Sequence, residues 1–323
     1  MATEFPLISV VVPVRNRVSY LSDCLSSVIA ADLGSALMEI VVVDNASDEP
    51  GKVEEIVAPY SKGRIRLVRH DVHFPLSENW NRCVDETKGA WVHVLHDDDI
   101  VMPHFYSSWL GVIREFPDIG IVASPVSFLD EKGNKKSSQD EANLFKNALV
   151  EKRELKAFLG GNPLRCPAVM FNRSCWEAIG KFRPEIAYAP DWICWFDLVR
   201  YKRGYFSTDI KAGYRDSPSS ITNNLAKVFD WLKEIVAITR RNVREYRKQF
   251  GLVFVFRWPT FVNAAYRMVI VSAQIQGVRS GLATLFRILI LPTSMPARIQ
   301  LLWALGSAGG REAQRRLRLR VRS

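Results

Sequence analysis

Between Ala90 and Asp99 the chain reads AWVHVLHDDD, an apolar, β-branched run that stops abruptly at three consecutive carboxylates. The simplest reading is a buried strand that delivers Asp97, Asp98 and Asp99 to its C-terminal edge. Adjacent acids repel one another and cost stability unless a cation or donor groups compensate them. Oxygen ligands at the mouth of a sheet suit Mg²⁺ or Mn²⁺ rather than zinc. A solvated acidic turn is the plain alternative, and the neighbouring segments decide between the two.

Those segments alternate strand and helix. Leu7–Val12 is a short apolar run that stops at Pro13, and Val18–Ala30 follows with Leu21, Leu25, Val28 and Ile29 at helical spacing. Glu39–Val43 is a second strand ending at Asp44-Asn45, Ile65–Val68 a third, and Ser77–Thr87 a helix that turns Trp80, Cys83 and Val84 inward. Alternation at this pitch predicts an α/β fold: a doubly wound, mostly parallel, Rossmann-like sheet covered on both faces. Ligands of such sheets bind beyond the carboxyl ends of the strands. Three of those ends are polar here: Arg15-Asn16, Asp44-Asn45 and Asp97–Asp99.

Length and charge divide the chain. At 323 residues it can bury a sizeable core in one large or two small domains. The net charge of +10 hides an asymmetry. Residues 221–323 carry 18 Lys and Arg against four acids, a balance of +14, and residues 1–220 carry −4. The five cysteines are scattered, without C-x-x-C spacing, which fits reduced thiols in a cytoplasmic protein instead of a disulfide frame or zinc site. Met1–Pro6 lacks the basic and apolar regions of a secretory signal.

Four blocks now stand in order: Ser9–Asn16, Val41–Asp48, Glu78-Asn79-Trp80-Asn81-Arg82 and His96–Asp99. Together they resemble the family 2 glycosyltransferases of GT-A fold, over about residues 7–220. The resemblance implies a GT-A catalytic domain over 1–220, with a nucleotide-sugar half to about residue 100, an acceptor half to 220, and a C-terminal helical extension. It implies that Pro13 and Arg15 line the pocket of the base. Asp44, with Asn45 beside it, would accept from the base N–H, most naturally of uracil. Asp44 also suits a helix N-cap, and both roles can hold together. The D-x-D element maps onto Asp97–Asp99, with Asp99 on Mn²⁺ or Mg²⁺ and Asp97 or Asp98 toward the ribose and the metal shell. Asn81 either braces this edge or caps a helix.

Pro190-Asp191-Trp192 opens a further helix whose apolar face includes Trp192, Trp195 and Phe196. By the resemblance, Asp191 is the general base for an acceptor hydroxyl. An acid in a first helical turn also stabilises the helix dipole, which is the alternative. Asn162, Arg165 and Trp192 are weaker candidates for the acceptor side. Relatives often carry Tyr-Arg-x-His where this chain has Tyr214-Arg215-Asp216. Either Asp216 supplies an oxygen to the metal, or Arg215 alone closes over the phosphates.

From Ala226 onward the pattern is helical and basic. The longest charge-free stretch of 221–323 is Ile299–Gly310, 12 residues, and a membrane-spanning helix needs about 20. Apolar segments interrupted by arginines suit helices lying on an anionic membrane, which would make the protein peripheral on the cytoplasmic face. The alternative is a helical subdomain packed on the catalytic domain. Nucleic acid is the weakest partner, since no recognised binding motif accompanies the charge.

The expected activity is metal-dependent, inverting transfer of a sugar from a nucleotide diphosphate, UDP favoured, to a hydroxyl of a cell-surface or lipid-linked glycan. Transfer to a polyprenyl phosphate is the nearest rival. A sugar nucleotidyltransferase would need a Gly-rich loop that Pro13–Asn16 lacks, and a non-enzymatic binding protein would rest on the tail alone.

Overall fold

The computed structural model describes residues 7–60, 63–136, 144–215 and 228–250. In chain order the elements are β1 (Ile8–Val14), α1 (Leu21–Ala30), β2 (Met38–Asp44), α2 (Pro50–Val57), β3 (Ile65–Arg69), α3 (Leu76–Asp85), β4 (Trp91–Val94), β5 (Ile100–Val101), α4 (Phe105–Glu115), β6 (Ile121–Ala123), β7 (Val126–Leu129), β8 (Ala148–Val150), β9 (Val169–Asn172), α5 (Arg173–Ala178), α6 (Pro190–Tyr201), β10 (Gly204–Phe206), β11 (Ala212–Arg215) and α7 (Val228–Phe250). The chain divides into two compact units, Met1–Lys156 with Pro163–Ser220, and Ala157–Asn162 with Ile221–Ser323.

The first unit is built on an eight-stranded sheet in the order β3-β2-β1-β4-β9-β6-β10-β8. Strands β3, β2, β1 and β4 run parallel. The residues of β1, β2 and β4 are nearly all buried, with Val and Ile predominating, as a sheet covered on both faces requires, whereas edge strand β3 is more exposed. Two strands depart from the parallel expectation: β9 runs antiparallel to β4 and β6, and β8 antiparallel to β10. A second sheet, β5-β11-β7, and helix α4 were not legible in the sequence. Arg165–Arg173, which reads as one strand, instead opens with a 3₁₀ turn at Cys166–Ala168, because Pro167 has no N–H to offer a ladder.

Strand β1 runs through Pro13 instead of stopping there. Odd-numbered residues of β1 face β4, as the Trp91 N–H to Leu7 and Leu95 N–H to Val11 bonds show. Pairing with β4 ends at Val11↔Val94, so the missing donor of Pro13 falls beyond the last rung and breaks nothing.

After β1 the chain builds outward through β2 and β3, then crosses back to place β4 on the other flank of β1. That reversal opens a crevice at the carboxyl ends of β1 and β4. The close approach of these strands needs Gly89. A Cβ there would fall 2.6 Å from the Ser9 backbone nitrogen and 2.8 Å from the Ile8 carbonyl carbon.

In the second unit, α7 turns Leu232, Ile235, Val236 and Ile238 inward and leaves Lys233, Arg240, Arg244, Arg247 and Lys248 exposed. Among the described residues no helix is long and apolar enough to cross a membrane. Residues 221–227 and 251–323, which carry most of the expected basic extension, lie outside the described residues.

Candidate active site at the β1–β4 switch point

The two strands flanking the crevice each end in a charged turn. From β1 comes Arg15-Asn16-Arg17, with Asn16 in the left-handed region at φ 58°. The Asn16 side chain donates to Asp48 and accepts from the Asp48 N–H at 2.9 and 2.8 Å, while its own N–H donates to Ser47 Oγ at 3.0 Å. Asn tolerates that backbone more readily than most residues and ties the β1 turn to the β2 turn. From β4 comes Leu95-His96 and then the three aspartates, which are buried to within 6% exposure. They are not splayed into solvent.

Two arginines compensate them. Arg17 donates from Nε to Asp97 Oδ1 at 2.9 Å, pairs again with Asp97 through its terminal nitrogen, and meets Asp98 Oδ2 at 2.6 Å. Arg215, at the end of β11, gives its backbone N–H to Asp99 Oδ1 at 2.8 Å. Its guanidinium reaches the carbonyls of Asp98 and Glu131 at 2.9 and 3.0 Å and Asp23 at 3.3 Å. Arg215 is therefore a brace: it locks the aspartate turn to the Asp130–Asn134 turn.

Burial still dominates the charge balance. It lifts the Asp97 carboxyl to about 7 against the pull of Arg17, and lifts Asp99 well above the usual carboxylate range, with Asp98 adding to the rise. Asp99 Oδ2 is buried without a hydrogen-bond partner among the described residues. The His96 ring lies beside it, with Nδ1 3.6 Å from Oδ2, tilted by 33° against Trp80 at a centroid distance of 5.2 Å. An orphaned buried carboxylate oxygen beside an imidazole fits a divalent cation. His96, Asp98 and Asp99 can each bring one ligand atom within 4.8 Å of the others.

Asp191 sits in the first turn of α6, where Oδ1 accepts from the Trp192 N–H at 2.9 Å. Its charge reaches the same neighbourhood as the aspartate turn. Burial first, and then both Asp191 and Asp99, push up the Cys166 thiol. Burial, Asp99, Asp98 and Asp191 together push the Tyr214 hydroxyl up to about 12, while Arg165 opposes them. Asp98, Asp99, Asp191, Arg165, Cys166 and Tyr214 thus share one electrostatic environment.

The remaining sequence candidates divide. Asp44 is buried, accepting from the Ser47 N–H at 2.9 Å and from Arg69 at 2.8 Å; it closes the turn after β2 and is not the expected helix N-cap, since α2 opens at Pro50 behind Glu49. Asn45 pairs its amide with the backbone of Phe74, and Asn81 does the same with Phe182. Both amides are spent on holding loops. Pro13 is partly buried and Arg15 exposed at the crevice rim. Trp192 is 1% exposed, so its ring belongs to the core of α6 and not, as expected, to an acceptor surface. Asn162 belongs to the second unit, and Asp216 lies outside the described residues. Arg17 and His96 were missing from the sequence-based set, although His96 opens one of its blocks and Arg17 directly follows another.

Comparison with known proteins agrees with this geometry. The profile of glycosyl transferase family 2 matches residues 9–176, just over half of the chain. An uncharacterised glycosyltransferase of Rickettsia typhi is 21% identical over 256 residues, covering 76% of this chain and 74% of its own length. One of Haemophilus influenzae is 23% identical over 270 residues, covering 80% and 85%. One of Rickettsia felis is 25% identical over 211 residues, and there the match spans only a third of the relative's length. Among solved structures, Staphylococcus aureus TarS residues 1–349 superpose with a TM-score of 0.55 at 16% identity, over 95% of this chain and 91% of that one. A mannosyltransferase of Pyrobaculum calidifontis, solved with GDP-Man and Mn²⁺, gives 0.53 at 16%, over 95% and 81%. The fold is GT-A, and the chain belongs to glycosyl transferase family 2.

Proposed function

We propose that this chain transfers a sugar from a nucleotide diphosphate, UDP favoured, to a hydroxyl of a cell-surface or lipid-linked glycan, with a divalent cation and inversion at the anomeric carbon. The observation that carries this reading is the buried aspartate turn at the switch point, where Asp99 Oδ2 has no hydrogen-bond partner among the described residues. Solved relatives of the same fold hold GDP-Man with Mn²⁺, or UDP-GlcNAc, which supports the donor class.

In this reading Asp98 and Asp99 hold the cation, and the orphaned Asp99 Oδ2 is the atom that fits it best. When bound, the cation offsets the charge that grows on the departing diphosphate. Asp44 and the rim residues Pro13 and Arg15 face the base, and Asp97 the ribose. Arg17, partly exposed between Asp97 and Asp98, is placed to turn a guanidinium toward phosphate oxygens as the donor enters. Asp191 takes the proton of the acceptor hydroxyl as its oxygen attacks the anomeric carbon and the bond to the nucleotide breaks. A single displacement of this kind inverts the centre. The exposed cations of α7 favour an anionic membrane surface on the cytoplasmic side as the place where acceptor is met.

The test is transfer and donor binding measured on Asp191→Asn. Hydroxyl transfer should fall at least about 100-fold, the scale of general-base catalysis, with binding of UDP-sugar and Mn²⁺ retained. Transfer that survives in Asp191→Asn points to a phosphate acceptor, which needs no base. Turnover that is indifferent to Asp99→Ala and to chelator sinks the metal-dependent reading.

A further inference from the structure

Two atoms able to bind a cation face each other across the aspartate turn. His96 Nδ1 lies 3.6 Å from Asp99 Oδ2, a buried oxygen with no hydrogen-bond partner among the described residues. Asp99 cannot turn its other oxygen there, because Oδ1 is held by the Arg215 N–H at 2.8 Å. The imidazole is held as well: its face packs on Trp80, itself buried and packed edge-on against Phe182. Nε2 is buried without a hydrogen-bond partner among the described residues, none of which draws the ring away. A cation between the two atoms satisfies both at once, where otherwise they share a proton.

We propose that His96 supplies a ring nitrogen to the divalent cation beside Asp98 and Asp99. Donors 3.6 Å apart each reach an ion at about 2.1 Å, with roughly 120° between the bonds. The Asp98 carboxylate brings the third protein atom within the same 4.8 Å. The remaining positions stay open to water and to diphosphate oxygens. Mg²⁺ favours oxygen ligands and near-ideal octahedral geometry, whereas an imidazole beside carboxylates suits the later ions of the first transition row. Among the transition ions the order of affinity should be Mn²⁺ weakest, then Co²⁺, then Zn²⁺ for the same donors. Trp80 is then a positioning residue, since it fixes the plane of the ring.

The inference rests on the metal-dependent reading above, and the two can fail separately. The full chain is titrated with MnCl₂ and with MgCl₂, each with and without UDP, and the Mn²⁺ sample is examined by electron spin echo envelope modulation. The expected result is a directly bonded nitrogen signal in the unaltered protein, which needs no variant to be seen. In His96→Gln that signal should vanish and Mn²⁺ binding weaken at least about 10-fold, with Mg²⁺ binding changed less than about threefold. Mn²⁺ binding that depends on Asp99 but shows no nitrogen coupling, and is as tight in His96→Gln, overturns the role of His96 and leaves the metal reading standing. His96 and Asp99 would then share a proton. No Mn²⁺ binding by the unaltered protein, with UDP or without, overturns both.

Discussion

At the residue scale, the site is a set of buried acids held just short of neutrality by arginines drawn from far along the chain. Arg17 is the critical one, because Asp97 and Asp98 have the same guanidinium as partner. Arg17→Gln should destabilise the fold by about 1–3 kcal/mol, the cost of leaving buried charge unpaired. The Asp97 carboxyl already sits near 7 with Arg17 present, so the variant's deficit should be largest at pH 8 and shrink toward pH 5 as the acids take up protons. Urea unfolding at the two pH values checks this; a deficit independent of pH would mean that Arg17 acts only through packing. His93 runs the other way. It is fully buried, stacked on Phe105 and bonded to the Tyr106 hydroxyl and the Pro167 carbonyl, so it is held neutral with Nε2 as the donor. Burial pulls it down to about 3. The unfolded chain binds that proton from about pH 6.5 downward and the folded one does not, so stability falls as pH drops from 6.5 toward 3 by up to about 1.4 kcal/mol per unit. His93→Phe should be less stable at pH 7 yet lose less on acidification, and urea midpoints across that range read both effects.

At the element scale, the crevice depends on β1 and β4 meeting in register. Gly89 sits where β4 begins, and its N–H and its missing Cβ both face Ser9. Gly89→Ala must push backbone from backbone, which no rotamer change relieves. A loss of roughly 1–3 kcal/mol is expected, typical of overpacking. Donor affinity should fall alongside it, since the Arg15–Arg17 and His96–Asp99 turns ride on these two strands. Thermal unfolding together with UDP titration tests the pair of effects; a destabilised variant with unchanged UDP affinity would uncouple the strand register from the site. In α7 the exposed cations recur along one side while the apolar residues are buried. Each basic residue near an anionic bilayer contributes about 1 kcal/mol, so Arg240→Gln, Arg244→Gln and Arg247→Gln together should weaken binding to phosphatidylglycerol vesicles by up to about 100-fold. Flotation without detergent reads it, and equal binding to neutral vesicles would show that charge is not the cause.

For the whole molecule, the charge asymmetry and the fold belong together. Residues 1–220 carry a net −4, with Asp97, Asp98 and Asp99 buried at the crevice, while residues 221–323 carry +14. In the proposed reading a negatively charged donor is therefore received by local cations, Arg17 and a bound metal ion, and not by the average field of residues 1–220.

The strand–helix alternation, the parallel run of β1, β2, β3 and β4, and the polar strand ends were all readable from the chain, because each is a local pattern of period and burial. The aspartate turn was legible for the same reason: three acids after a buried strand admit few explanations. What packing alone decided was partnership across distance. Nothing in the spacing says that Arg17 will meet an acid 80 residues away, that Arg215 will brace Asp99 through its backbone, or that Asn45 and Asn81 will spend their amides on Phe74 and Phe182. Strand direction behaves likewise: β8 and β9 are short and apolar whichever way they run, and only the edges left open by their neighbours choose. Side-chain chemistry is written residue by residue, but an ion pair or a ladder is made by two segments, and the second is chosen by the fold.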